Sequence, residues 1–197
     1  MRIFYVLYIK DKRLGAMLDA VRLVCDPTQK FLSHVTVRGP YQKEMQPETA
    51  VRLSGSEPVE VGGIGNFFNY GQNTVFLRCD SREIRHAWRK PNYPYNPHLT
   101  LYDGRSPAFA RMLFDALRSM DWEFSFQPTS LQALVSSPGQ LSSNIWLEHN
   151  KDSLRTASGF ELAPETIKDL TDAERVELAK RIAKRISDRY TKQHGGM

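Results

Sequence analysis

The sequence predicts an α+β fold: a bilobal, duplicated domain in which two antiparallel sheets flank a central cleft, with helices outside and one more helix at the C-terminus. A strand–helix–strand unit occurs twice, over residues 2–38 and 74–102, and each copy ends on a strand with the pattern His-x-Thr. A basic amphipathic helix follows after a polar stretch. We therefore expect one folded domain over residues 1–150 and an appended C-terminal segment.

The first unit begins with an apolar strand over residues 2–9, and its near-continuous Ile, Phe, Tyr and Val content is typical of a strand covered on both faces. Asp11 can cap a helix that continues through residue 25. The apolar face of this helix is formed by Leu14, Met17, Leu18, Val21 and Val24. A strand over 33–38 follows, and Gly39-Pro40 is expected to end it.

Glycines interrupt the segment between the two units. Residues 58–68 have the composition of a strand, but a Gly62-Gly63 pair lies within it and no helix follows. A β-bulge or a kink is therefore predicted there rather than a phosphate-binding loop. The second unit comprises a strand over 74–79, a short helix over 81–88 and a strand over 98–102.

The elements after the second unit complete the domain. Ser106-Pro107 is a good N-cap and first-turn pair, and an apolar stripe from Phe109 to Met120 predicts a helix behind it. Three further strands are expected over 122–126, 131–135 and 144–148.

The C-terminal part is predicted to consist of a linker over 151–170, a basic amphipathic helix over 171–192 and a disordered tail over 193–197. Thr171 to Glu174 has the pattern of a capping box. The helix carries an apolar stripe of Leu178, Ile182, Ile186 and Tyr190 among many Lys and Arg residues. The stripe can dock on the domain or form a homo-oligomer or partner contact, whereas the basic face can bind RNA or an acidic surface.

Composition limits the class of protein and its partners. Hydrophobic residues are 41% and charged residues 25% of the 197 residues, and no run is apolar enough for a membrane span, so we expect no membrane association. Cys25 and Cys79 suggest neither a disulfide framework nor a zinc site, and a cytoplasmic location is the simplest interpretation. The net charge of +5 favours an anionic partner such as a nucleotide or RNA.

The two His-x-Thr motifs carry the candidate chemistry. Because side chains alternate along a strand, His34 and Thr36 face one way, and so do His98 and Thr100. The aliphatic residues between them face the opposite side and can anchor each motif in the core. Two such strands brought together would surround one anion with two imidazoles and two hydroxyls.

Hydrolysis of a phosphodiester needs a base that activates water and an acid that protonates the leaving oxygen. Histidine suits both roles because its unperturbed pKa is about 6.5. We therefore predict His34 and His98 as catalytic residues and the hydroxyls of Thr36 and Thr100 as phosphate ligands. The sequence shows no metal-ligand cluster, so neither a metal nor a cofactor is expected. It leaves open which histidine is the acid and which is the base.

Two residues next to the motifs are further candidates for binding the substrate phosphate. Arg38 follows Thr36 by two residues and Tyr102 follows Thr100 by two, so each shares the face of its motif if the strand continues regularly. Arg38 can pair with phosphate or be a solvated strand-end residue, and Tyr102 can bind phosphate or stack on a base. We also expect at least one aromatic residue of the nearby loops to line the pocket, from Tyr41, Phe67, Phe68, Tyr70, Tyr93 and Tyr95.

The motifs Ser33-His-Val-Thr-Val-Arg-Gly-Pro40 and Asn96-Pro-His-Leu-Thr-Leu-Tyr-Asp-Gly104 closely resemble the two signature motifs of the 2H phosphoesterase superfamily. The resemblance covers residues 1–150, where the two motifs are specific as a pair and the remainder agrees in layout. It implies a bilobal, duplicated α+β fold and metal-independent action on a phosphodiester. It also implies that His34 and His98 are the acid and base and that Thr36 and Thr100 bind the phosphate.

The predicted function is accordingly hydrolysis of a nucleotide or RNA phosphodiester, with a 2′,3′-cyclic phosphate as the first substrate class. Three alternatives stay open: hydrolysis of a cyclic nucleotide or oligonucleotide signal, a 2′-5′ RNA ligase or esterase activity, and nucleotide or RNA binding without turnover. The loops that would select among these substrates have no sequence pattern that indicates the substrate.

Overall fold

A computed structural model describes residues 2–28, 31–42, 57–88, 94–136, 158–159, 162 and 164–191. Its strands are β1 (Arg2–Tyr8), β2 (His34–Tyr41), β3 (Val59–Asn66), β4 (Thr74–Asp80), β5 (His98–Asp103), β6 (Glu123–Phe126) and β7 (Gln132–Ser136). Its α-helices are α1 (Lys12–Cys25), α2 (Arg82–Ala87), α3 (Pro107–Leu117), α4 (Pro164–Lys168) and α5 (Asp172–Tyr190). The strand predicted over 144–148 lies outside the described residues.

Polar side chains begin the helices where the sequence predicts. The Asp11 carboxylate accepts hydrogen bonds from the backbone N–H groups of Arg13 and Leu14 at the start of α1. Ser106 accepts from the N–H of Phe109 at the start of α3, and proline occupies the first turn of that helix. These contacts satisfy N–H groups that have no partner within a helix.

The described strands form one antiparallel, curled sheet in the order β6-β3-β4-β5-β2-β1-β7. The α+β class is therefore confirmed. The two separate sheets of the prediction are not, because β2 and β5 join the halves through one registered residue pair, Val35 with Leu99. Each half keeps its own strand–helix–strand unit, and the two motifs meet at the junction.

Irregular pairing decides which side of the sheet several residues face. The prediction that Gly39-Pro40 ends β2 is wrong: the strand continues to Tyr41, with register shifts against β1 on both sides of the Tyr5–Arg38 pair. Gly39 has a φ of +107°, and a Cβ atom there would lie 2.7 Å from the carbonyl oxygen of Ile3. The bulge predicted in β3 is confirmed by a register shift between Val61 and Ile64.

The core lies on the face of the sheet opposite the motif histidines. The aliphatic neighbours of the motif residues, Val35, Val37, Leu99 and Leu101, are at most 1% exposed, as the alternation predicts. The same core includes Leu14 and Leu18 of α1 and Phe109 and Leu113 of α3; α1 contacts β5, α3 contacts β3 and β4, and α5 packs on α1 and α3. This packing fixes the backbone that presents the motifs.

The basic helix α5 belongs to the same core. It packs against α1 and α3 and buries Ala179, Ile182, Ala183 and Ile186, whereas Leu178 and Tyr190 of the predicted stripe are partly buried. Its N-terminus has the predicted capping box between Thr171 and Glu174. The Arg175 guanidinium donates to the carbonyl oxygens of Val24 and Cys25, which lie in the last turn of α1. The apolar stripe is therefore covered, at least in part, by the chain's own helices.

Part of the segment predicted as a linker packs into the core as well. Leu162 is 5% exposed and Ile167, in α4, is 1% exposed. Residues 192–197, which include the predicted tail, lie outside the described residues. Within the described ranges, no helix is long and apolar enough to cross a membrane.

Candidate active site

The two His-x-Thr motifs lie side by side at the centre of the sheet. Val35 pairs with Leu99 in antiparallel register. In an antiparallel ladder the residues that flank such a pair face each other, so this register directs His34 towards Thr100 and Thr36 towards His98. His34, Thr36 and Thr100 line one cavity.

The same local hydrogen bond orients both imidazoles. The Nδ1 atom of His34 lies 2.7 Å from the carbonyl oxygen of Leu32, and that of His98 lies 2.8 Å from the carbonyl oxygen of Asn96. A carbonyl oxygen only accepts, so Nδ1 carries a proton in each ring. Nε2 of each histidine is then the nitrogen that changes its protonation, which is the arrangement that acid–base chemistry needs.

Aromatic side chains support the histidine rings. Phe67 and Phe76 contact His98 at centroid distances of 5.1 and 4.8 Å, and Tyr8 contacts His34 at 6.1 Å. Phe67, one of the predicted base-stacking residues, therefore packs against a motif histidine. Tyr95 hydrogen-bonds to Asp80 and contacts Trp88 instead, and Tyr93 lies outside the described residues.

The environment of His34 favours its neutral form. Burial, followed by the positive charge of Arg22, lowers the pKa of His34 from 6.5 to about 4. The hydrogen bond to Leu32 opposes this shift, and nearby His98 adds to it. At neutral pH the ring of His34 therefore carries a proton on Nδ1 and a lone pair on Nε2, so it is suited to accept a proton.

A cavity of about 340 Å³ adjoins the motifs. Three of the four motif residues line it, namely His34, Thr36 and Thr100, whereas His98 is not among the described lining residues. The rest of the wall is formed by Phe4, Arg22, Asp26, Phe31, Leu101, Tyr102, Asp103 and Leu134. The five predicted loop aromatics that lie in the described residues do not line this cavity; its described aromatic wall consists of Phe4, Phe31 and Tyr102.

Arg38 does not share the face of the motif residue Thr36. It pairs with Tyr5 beyond a register shift, is 3% exposed, and donates from Nε to the carbonyl oxygen of Ala87 at 2.8 Å. The bulge adds one residue to β2, so Arg38 faces the opposite side from Thr36. The described contacts of Arg38 therefore do not support it as a phosphate ligand, and its guanidinium attaches β2 to the end of α2.

Tyr102 is turned away from its motif for the same reason. A register shift in β5 pairs Tyr102 with Val75 and Thr100 with Phe76, so the two residues no longer share a face. The ring of Tyr102 packs 4.9 Å from that of Phe109, and its hydroxyl accepts a hydrogen bond from the N–H of Ser106 at 3.1 Å. Tyr102 still reaches the cavity wall, but its hydroxyl is engaged by the backbone, so the predicted phosphate contact is not supported.

The structure adds two arginines that the sequence analysis missed. Arg22 of α1 lines the cavity, and exposed Arg78 of β4 pairs with His98 across the sheet. One signal for Arg22 is present in the sequence: Asp19 and Arg22 are the charged residues of the stretch from Leu14 to Cys25 in α1, whose other residues are apolar or glycine, so they are expected to be buried. In the structure both are buried, and an Asp19 carboxylate oxygen accepts from the N–H of Ser33, which precedes His34.

Other reactive side chains do not extend the site. Cys25 and Cys79 are buried, and burial raises the pKa of each thiol to about 12, so neither is a thiolate at neutral pH. The described part of the chain contains no group of three or more His, Cys, Asp or Glu placed to hold a metal ion.

Arg38→Met is expected to lower the free energy of unfolding by about 1–3 kcal/mol, because it removes a buried charged donor from the Ala87 carbonyl. Urea unfolding measures this change, with Arg82→Met as a control that removes an exposed positive charge from α2. From the position of Arg38, we also expect Arg38→Met to have no direct effect on phosphate binding. An unchanged stability combined with weaker phosphate binding would contradict this placement.

The lowered pKa of His34 predicts a stability that depends on pH. An unfolded histidine has a pKa of about 6.5, so between this value and the folded pKa of about 4 the unfolded state binds more protons. Stability is therefore lost as the pH falls through this interval. One pKa unit corresponds to about 1.4 kcal/mol, so the loss from His34 is on the order of 3 kcal/mol at most.

Urea unfolding of the wild type and His34→Gln across this pH interval measures the effect. The free energy of unfolding is expected to fall less steeply in the variant, because glutamine does not titrate. Parallel curves for the two proteins would show that His34 has an ordinary pKa in the folded state.

No protein-family model matches this chain, and the search of curated proteins finds no match.

Proposed function

We propose that this chain is a metal-independent phosphodiesterase of the 2H type, which hydrolyses a nucleotide or RNA phosphodiester by acid–base catalysis between His34 and His98. The first substrate class is a 2′,3′-cyclic phosphate, such as a cyclic nucleotide or the cyclic end of an RNA. We further propose that the two halves of the sheet are a duplicated, bilobal pair around the site, and that the protein acts in the cytoplasm.

The reciprocal placement of the two motifs is the observation that carries this proposal. The register of the Val35–Leu99 pair directs each histidine towards the threonine of the other motif, and each ring is fixed through Nδ1 to a carbonyl oxygen two residues earlier. In-line displacement at phosphorus needs one proton-transfer group on each side of the phosphorus atom, and two histidines held in the same way on neighbouring strands can supply them. One imidazole can act on the attacking side while the other acts on the leaving side.

The electrostatics favour His34 as the base. Its pKa of about 4 keeps Nε2 unprotonated at neutral pH, ready to take a proton from water. As the water oxygen bonds to phosphorus, the proton passes to His34, the bond from phosphorus to the ribose oxygen breaks, and that oxygen takes a proton from Nε2 of His98. Proton exchange with solvent then restores both rings, so one water is consumed and one phosphomonoester is formed.

The threonines and the charge of the chain support an anionic substrate. Thr36 and Thr100 line the cavity next to His34, where their hydroxyls can donate to the non-bridging phosphate oxygens. The net charge of +5 favours a nucleotide or RNA partner. A cavity of about 340 Å³ is near the lower end of the usual range for ligand pockets, about 300–1,000 Å³, so it suits a single nucleotide unit.

A hydrolysis screen with mass detection tests the proposal. It compares 2′,3′-cyclic mononucleotides, 3′,5′-cyclic nucleotides, cyclic oligonucleotides and 2′-5′-linked RNA, each with and without EDTA. We expect turnover of 2′,3′-cyclic substrates that EDTA leaves unchanged and that the double variant His34→Asn/His98→Asn lacks. Turnover of another class would redirect the substrate assignment, and tight binding without any product would favour the non-catalytic binding module.

A further inference from the structure

Arg22 is a buried cation in the wall of the cavity. It is 6% exposed and lies on α1, one turn before the helix ends. Burial lowers the pKa of its guanidinium to about 10, so it is still charged at neutral pH. Within the described ranges, no hydrogen bond and no ion pair within 4 Å engages this guanidinium, although the carboxylates of Asp19 and Asp26 act on it electrostatically.

An arrangement of this kind is costly unless an anion completes it. Burial of a charged group has a desolvation penalty. Nearby opposite charges offset this penalty only when their geometry is good and the group is hydrogen-bonded. The two nearby carboxylates already have other contacts, because Asp19 accepts from the Ser33 N–H and Asp26 accepts from Thr28. The described contacts therefore leave the five donors of Arg22 unused, and Arg22 lines a cavity whose polar wall also includes His34, the two motif threonines, Asp26 and Asp103.

We propose that Arg22 binds the phosphate of the substrate, together with Thr36 and Thr100, in the role that the sequence analysis gave to Arg38. A planar guanidinium matches two phosphate oxygens at once, whereas each threonine supplies one donor. The apolar side chains of Phe4, Phe31 and Leu134 line the same cavity and would face the nucleoside. The ligand class is therefore a nucleoside phosphate of one nucleotide unit, and this inference rests on the proposed function for its substrate.

Arg22 also stands in an electrostatic relation to His34. Its positive charge disfavours protonation of His34, as does the charge of His98. Arg22 also interacts electrostatically with Asp19 and Tyr8. A phosphate bound by Arg22 would offset that positive charge. Protonation of His34 would then become easier at the point when the ring has to accept a proton from water.

The competing explanation is that Arg22 only neutralises buried Asp19. Both explanations predict that loss of Arg22 weakens the fold, so stability alone does not separate them. They differ in phosphate affinity, because a purely structural arginine has no contact with the ligand. Inorganic phosphate and adenosine 3′-monophosphate are suitable probes, since their binding can be measured without turnover.

The test is isothermal titration of both probes into the wild type, Arg22→Gln, Arg22→Lys and Arg13→Gln. Arg13 is an exposed residue on the first turn of α1, so its variant removes the same charge from the same helix. We expect Arg22→Gln to weaken binding about 10- to 100-fold, the range for loss of a hydrogen bond to a charged group. Arg22→Lys should lose less, and Arg13→Gln should bind both probes like the wild type.

Imidazole NMR provides a second readout. The pKa of His34 is expected to rise on addition of phosphate to the wild type, and to rise in Arg22→Gln without phosphate. Wild-type affinity for both probes in folded Arg22→Gln would overturn the proposal, whatever happens to the pKa. If the glutamine variant does not fold, unchanged affinity and an unchanged phosphate response in Arg22→Lys would overturn it instead.

These outcomes are separable from those of the hydrolysis screen. Weaker phosphate binding in the variants with no turnover of any substrate would support Arg22 as a ligand and reject the proposed reaction. Turnover in the wild type with phosphate affinity unaffected by Arg22 would support the reaction and reject this inference.

Discussion

Replacing either His34 or His98 with asparagine is expected to lower kcat by about 10²–10⁴-fold on the substrate that the wild type hydrolyses. Each change removes the Nε2 atom that accepts or donates the transferred proton in the proposed mechanism. Asparagine keeps a short polar side chain next to the carbonyl oxygens of Leu32 and Asn96, so the backbone of each motif should be preserved. Single-turnover kinetics with the purified variants measure the effect on the chemical step.

The double variant distinguishes a shared step from two independent effects. In the proposed mechanism one histidine removes a proton and the other supplies one in the same displacement, so the combined loss should be much smaller than the product of the single losses. His86→Asn is the matched control, since His86 is an exposed histidine of α2 outside the site. Full activity in either single variant would contradict the two-histidine mechanism.

The second large effect is expected at α5, where Ile182→Ala and Ile186→Ala should each lower the free energy of unfolding by about 2–5 kcal/mol. Both side chains are 0% exposed in the contact of α5 with the core. A typical domain has a total stability of about 5–15 kcal/mol, so the double variant should be close to unfolding. Urea denaturation followed by circular dichroism measures the change.

Lys180→Ala is the control within the same helix. Lys180 is exposed and pairs with Glu177 on the surface, so its loss should change stability by less than about 0.5 kcal/mol. If α5 were an independent appendage, the isoleucine variants would melt the helix and leave the unfolding of the sheet domain as in the wild type. A single cooperative transition at lower urea concentration is the result we expect.

The elements of the fold could be predicted because their signals are local. Asp11 and Ser106 cap helices through their own side chains, and the alternation around His34 and His98 follows from the pleat of a strand. The Gly62-Gly63 bulge was predictable as well, since glycine marks such a position. In each case a few adjacent residues determine the outcome.

Arg38 and Tyr102 could not be placed in this way. Their faces depend on bulges in β2 and β5, and neither bulge has a glycine at the step where the side chains change sides. A single extra residue reverses every later position in a strand, so a regular alternation gave the wrong face to both.

Arg22 illustrates the other limit of reasoning from the sequence. Its helical position indicates burial, but its place beside His34 depends on how α1 packs across the sheet. The sequence distance between Arg22 and the second motif also gives no indication that they line one cavity. Such contacts follow from tertiary packing, which no local pattern encodes.

The pairing of Val35 with Leu99 positions both motif histidines, because His34 and His98 are the adjacent residues on the two strands. Both side chains are 0% exposed, and each lies directly between the histidine and threonine of its motif. A change of volume at either position therefore shifts both motif strands and can alter the distance between His34 and His98. If the two histidines act as proposed, the apolar part of the cavity wall, Phe4, Phe31 and Leu134, can change with the substrate, whereas the spacing of the histidines depends on these two buried aliphatic residues.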